Sequence, residues 1–162
     1  MIKIGDKSRF AFVVGDFHEG LRVVSIFIGG REVTGEDHFV YLPAYINSLK
    51  RQADKLKNTL NYLKYERLFR DIPIEDVHKI HVSENLDLFR DDTECYEVID
   101  YHSFMRLGDP TMESFSAFLI PYYSRMILSC EIRSESKPFY VDSVLPFDLL
   151  SVIEDAINKL SC

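Results

Sequence analysis

No stretch of this 162-residue chain is apolar for long enough to cross a bilayer or form the core of a secretion signal. The opening MIKIGDKSRF already carries Lys3, Asp6, Lys7 and Arg9, so the chain is expected to stay in the cytoplasm. Cysteine is scarce and odd in number. Cys95, Cys130 and Cys162 lie far apart, which argues against a disulfide framework and fits a reducing compartment. Tryptophan is absent, and there are 7 glycines and 6 prolines. No linker rich in Gly, Ser or Pro, no low-complexity run and no internal repeat divides the chain, so one domain is expected over residues 1–162. That length can bury a substantial core without metal or disulfide staples.

Clustered basic residues are missing as well. Net charge is −7, and the stretch from Asp71 to Glu113 holds twelve acids against Lys79, Arg90 and Arg106. That segment therefore carries −9, and the rest of the chain about +2. Nucleic acid and anionic membranes attract clustered Lys and Arg, so neither is expected as a partner. A basic protein surface suits the acidic segment, although acidic loops also serve solubility.

Signatures of catalysis are few and incomplete. Gly29-Gly30 precedes charge and a strand, where a phosphate cradle would precede a helix, so it reads as a turn. There is no GxSxG elbow and no HExxH. His78 and His81 form an HxxH pair near Asp76 and Glu84, a weak metal signal that reads as ordinary surface histidines ending a short helix. Cys95 and His102, taken as lying on one strand, would point to opposite faces and stand too far apart to act together. No enzyme activity, metal or cofactor is expected.

What is present is a globular profile, 46% hydrophobic and 28% charged, with strand and helix periods in alternation. RFAFVVG and LRVVSIFI read as a hairpin, and REV after Gly29-Gly30 as a short third strand. Ile46, Leu49, Ala53, Leu56, Leu60 and Leu63 recur at three- and four-residue spacing, predicting a helix from about Pro43 to Phe69 with one apolar stripe. The stripe also fits a short coiled-coil seam, as in a homodimeric adaptor, but packing on the chain's own sheet is favoured. Ile74, Val77 and Ile80 behind Pro73 suggest a short helix, and CYEVIDYHSF over 95–104 a strand. SFSAFLIP, RMILSCEIR and FYVDSVL read as three antiparallel strands, and Pro146 opens a last helix with Leu149, Ile153, Ala156, Ile157 and Leu160 inward. The expected fold is α+β, an antiparallel sheet with one long helix and a C-terminal helix packed on it.

The acids point to a candidate surface. Asp87, Asp91, Asp92, Glu94, Glu97 and Asp100, with Tyr96 and Tyr101 among them, combine charge for steering with aromatic area for holding.

The opening IGDKSRFAF and the later IFIGGREV resemble the start of an immunity-protein family of bacterial polymorphic toxins, the one numbered forty-two. The matching residues are Ile4, Gly5, Asp6, Phe10, Ala11 and Gly30, and the end is similar through Leu145-Pro146 and the last amphipathic helix. Gly5-Asp6 itself reads as a turn and Phe10 as a core strand position. The likeness covers about the first and last fifty residues, leaving the acidic middle unmatched. Where members often carry tryptophan, this chain has Ile26 and Phe27. The resemblance implies a non-catalytic cytoplasmic protein of contact-dependent growth inhibition, a monomer in a 1:1 complex with the C-terminal domain of a cognate toxin, often a nuclease.

Overall fold

The computed structural model describes residues 1–36, 38–59, 61–106 and 110–162. Alternating apolar residues build the first sheet. Phe10, Phe12 and Val14 of β2 (Phe10–His18) stand opposite Ile28, Ile26 and Val24 of β3 (Leu21–Ile28), and all six are buried. The short β4 (Arg31–Glu32) and β5 (Phe39–Val40) both pair with β3. An edge strand not expected from sequence, β1 (Ile2–Asp6), completes the sheet against β2.

That strand was hidden because Gly5 interrupts it. The Gly5 φ of +86° is left-handed, and a Cβ there would lie 2.5 Å from the Phe10 carbonyl oxygen and 2.9 Å from Val152. Only glycine fits. The turn follows Asp6, whose carboxylate accepts the Ser8 N–H at 2.9 Å and the Ser8 hydroxyl at 2.7 Å.

Helix α1 (Leu42–Asn58) starts with proline in its first turn, as expected, but ends well before Phe69. The reason is local. Thr59 turns its hydroxyl back to the Lys55 carbonyl at 2.8 Å, and the Tyr62 hydroxyl donates to the Leu56 carbonyl at 3.0 Å. Carbonyls that a continuing helix would use are thereby satisfied, and the chain turns. Leu49, Ala53 and Leu56 are buried within the chain and Ile46 is half-buried, whereas Leu63 on the turn is exposed and Leu60 lies outside the described residues. Helix α5 (Pro146–Leu160) packs beside α1, buries Leu149, Ile153, Ala156 and Leu160, and pairs its Glu154 with Lys57 at 2.6 Å. The stripe from Ile46 to Leu56 is thus packed within the chain, against its own sheet and helix.

The second sheet runs β6 (Ser103–Phe104), β7 (Phe115–Tyr122), β8 (Arg125–Ile132) and β9 (Phe139–Val141), all antiparallel. The described residues therefore hold two sheets where one was expected. Ala117 and Leu119 of β7 join a large core with the first sheet, α1 and α5. Phe118 and Ile120 face the other way, into a smaller core roofed by α2 (Glu66–Phe69), α3 (Ile74–Ser83) and α4 (Asp92–His102). Burial on both faces explains the nearly unbroken apolar run in β7 and β8.

The largest correction concerns residues 95–104, which are mostly helix. Cys95, Val98, Ile99 and His102 fall at helical spacing and are buried. The helix also has its own start signal in Asp91 and Glu94. Only Ser103 and Phe104 at its end are strand.

Replacing Gly5 with alanine should lower stability by about 2 kcal/mol or more, through left-handed strain and collision with the Phe10 carbonyl. A urea midpoint within error of the wild type would contradict that reading of the opening motif.

Candidate protein-binding site

Helix α4 sorts the expected site residues into three groups. Asp91 is its N-cap, accepting the Glu94 N–H at 2.7 Å, and Glu94 accepts the Arg90 N–H at 2.7 Å while pairing with the Arg90 guanidinium at 3.4 Å. Those contacts from Arg90 hold the Glu94 carboxyl below its usual range. Both acids are therefore part of the helix start. Tyr101 is half-buried, its hydroxyl donating to the Asn61 carbonyl and its ring 5.5 Å from the Tyr65 ring in a T-shaped contact.

Asp92, Tyr96, Glu97 and Asp100 form the outward face, since one turn of helix separates 92, 96 and 100 and all four residues are exposed. Asp87 is exposed on a 3₁₀ turn (Leu86–Leu88) just before them. The far end of α4 is fastened by Lys55 of α1, whose Nζ donates to the Asp100 carbonyl, to the Ser103 carbonyl at 2.8 Å and to the Ser103 hydroxyl at 2.7 Å. Burial pushes that ammonium below its usual pKa, and the nearby Asp100 opposes the shift.

Beneath this face lies a feature that sequence reasoning placed on the surface. His78, His81 and His102 are buried, at 0%, 1% and 1% exposure. His81 Nδ1 is 2.7 Å from the Val77 carbonyl, so that nitrogen carries the hydrogen and donates it. The neutral His81 ring then offers Nε2 as acceptor, and His102 donates to it from Nδ1 at 2.8 Å. This tautomer leaves His102 Nε2 without hydrogen, facing the Lys64 carbonyl at 3.5 Å. Phe69 and Phe118 flank the His81 ring. His78 bonds Ser129 of β8 through Nδ1, and its Nε2 stands 3.9 Å from a Glu131 carboxylate oxygen.

The rings are held neutral. Burial first, then the neighbouring His81, lowers His78 to about 4; burial lowers His81 to about 4 against the pull of the Val77 carbonyl. For His102, burial and His81 outweigh the Lys64 carbonyl and bring the ring to about 3.

Neither the metal site nor the thiol pair that the sequence could suggest is assembled among the described residues. Among the described residues no group of three His, Cys, Asp or Glu side chains could hold a metal ion. Cys95 and His102 share a face of α4, correcting the strand-based reasoning, but seven residues of helix still separate them by roughly 10 Å. Burial raises the Cys95 thiol pKa, opposite to what a nucleophile needs, and His102 Nδ1 is engaged with His81. Among the described residues no helix is long and apolar enough to cross a membrane.

Together these features define a protein of two antiparallel sheets with an acid-faced helical layer on the second. No protein-family model matches the sequence, and no curated protein matches it. Among solved structures, the fold is similar to the crystal structure of CdiI from Burkholderia dolosa AUO158, with a TM-score of 0.66 and 18% identity. The match covers 98% of this chain and 99% of that one. At that identity the likeness is one of fold. The opening motif's resemblance to a numbered immunity family remains a resemblance.

The histidines predict acid sensitivity with a definite sign. Unfolded, each ring takes a proton near pH 6.5; folded, it resists until about pH 3–4. The unfolded state therefore binds more protons in between, and stability present above pH 6.5 is lost as pH falls through that window. The slope should approach at most about 4 kcal/mol per pH unit for three rings. Urea midpoints at pH 7.5, 6 and 5 should fall steadily, and a flat profile would mean that the rings are not buried neutral.

Proposed function

We propose that this chain is an immunity protein, which binds the toxin domain of a contact-delivered bacterial toxin in the cytoplasm and blocks it without chemistry of its own. The observation that carries this reading is the fold shared with a CdiI protein over essentially the whole of both chains. The resemblance of the IGD opening to an immunity family adds to it, and in this chain Gly5 and Asp6 build the first strand and its turn.

The mechanism is occlusion by a charged surface. If the toxin is a nuclease, its active cleft must attract phosphates and will be basic. The exposed carboxylates of Asp87, Asp92, Glu97 and Asp100 suit such a cleft, and complementary charge speeds encounter and rejects wrong partners. Tyr96, 57% exposed in the middle of that face, is the aromatic group available to hold the complex once formed. Asp91 and Glu94 are poorer probes of binding, because their loss would first loosen the start of α4.

Co-purification with the product of the preceding gene tests the reading, since an immunity protein should be encoded directly after its toxin. Failure of that toxin domain to bind the wild-type chain would overturn it. With the complex in hand, converting Asp87, Asp92 and Glu97 to Asn or Gln should slow association several-fold and flatten its salt dependence, with little change in stability. Tyr96→Ala should instead raise the dissociation rate. Surface plasmon resonance at three ionic strengths separates the two effects, and an unchanged association rate for the neutralised variant would move the contact away from α4.

A further inference from the structure

One buried side chain of α1 keeps a donor that the protein does not use. Gln52 is 1% exposed, and its Oε1 accepts the Met105 N–H at 2.8 Å. That bond fixes the amide, because the reverse orientation would set Nε2 against another N–H. Nε2 is then left buried with no hydrogen-bond partner among the described residues. Native interiors rarely leave such a donor unsatisfied.

On α4 the opposite problem arises. His102 gives its one hydrogen to His81 from Nδ1, so its Nε2 can only accept. The Lys64 carbonyl, which faces it at 3.5 Å, also only accepts. Exchanging the tautomers offers no cure, since His81 Nδ1 would then turn a lone pair on the Val77 carbonyl at 2.7 Å. A second proton on His102 offers none at neutral pH, because burial and His81 together bring the ring to about 3.

The free donor and the free acceptor belong to residues that border one space. Gln52 and His102 both line a cavity of about 20 Å³ between α1, α4 and the second sheet, a volume that suits a single water. The other donors in its wall are committed. The Tyr62 hydroxyl donates to the Leu56 carbonyl, the Tyr101 hydroxyl to the Asn61 carbonyl and the Thr59 hydroxyl to the Lys55 carbonyl. The Lys55 ammonium has three hydrogens, and it donates to the Asp100 carbonyl, the Ser103 carbonyl and the Ser103 hydroxyl. That ammonium disfavours a cation in the cavity, and the lone pair of His102 disfavours an anion. A neutral molecule that both donates and accepts fits the wall.

We infer that this cavity is the binding site of one water molecule, which accepts from Gln52 Nε2 and donates to His102 Nε2. The bridge joins α1 to α4 from inside, beside the Lys55 contacts, and so helps to hold the helix whose outer face carries Asp92, Tyr96 and Glu97. It does not depend on the immunity reading.

The test uses the wild-type chain, crystallised at a resolution that shows ordered water and studied in solution by NMR with its histidines labelled with nitrogen-15. Density for one water should lie within about 3.2 Å of both Gln52 Nε2 and His102 Nε2. At neutral pH the His102 ring should carry its hydrogen on Nδ1 and accept a hydrogen bond at Nε2. Gln52 Nε2 bonded to a protein acceptor, or a cavity without density, overturns the proposal. So does a hydrogen on His102 Nε2, which would then serve the Lys64 carbonyl directly. Crystals grown with bromide distinguish an anion from water, and anomalous scattering from the cavity would also overturn it.

Discussion

The hydrogen bond between His81 and His102 ties α3 to α4 inside the smaller core, and the position of the acidic face depends on it. Two neutral imidazoles in an apolar setting satisfy each other and the Val77 carbonyl at helical spacing, while Phe69 and Phe118 close over them. Polar pairing of this kind is directional, so it fixes the rotation of both helices in a way that apolar packing alone would not. With His102, Val98, Ile99 and Cys95 turned inward, Asp92, Tyr96, Glu97 and Asp100 must face out. Lys55 then fastens the end of the helix to α1, linking the acidic layer to the larger core.

The second sheet makes this layering possible. Because β7 sends alternate side chains to opposite cores, the same strand supports the first sheet with α1 and α5 on one side and the helical layer on the other. Ser129 of β8, buried opposite Phe118, gives His78 its partner on that face of the sheet. An interior that excludes charge thus lies directly beneath a surface rich in it, and its histidines confine full stability to neutral pH and above.

Much of the fold was legible wherever local pattern and tertiary burial agree. The β2–β3 hairpin, α3, the three later strands and α5 each show a clear period with their own turn or proline signals. The acidic segment was misread because Cys95, Tyr96, Val98, Ile99 and Tyr101 favour strands as residue types, while their spacing is helical. The Asp91-x-x-Glu94 capping box was the signal that could have decided it. The early end of α1 depends on the Tyr62 hydroxyl reaching back to Leu56, which no periodicity reveals. The burial of the histidines depends on a partner 21 residues away, so an HxxH motif alone looked like surface. Of the candidate surface, the acids were visible as composition. Their division into helix-capping and outward-facing groups needed the fold.

On the proposed function, the helical layer on the second sheet is the face that would meet a toxin domain. Hydrogen exchange followed by mass spectrometry, on the chain alone and with its toxin domain bound, tests this without any substitution. Exchange should slow across residues 82–101 in the complex, with the β2–β3 hairpin and α5 exchanging as in the free chain. Protection of the hairpin or of α5, with residues 82–101 unchanged, would contradict it.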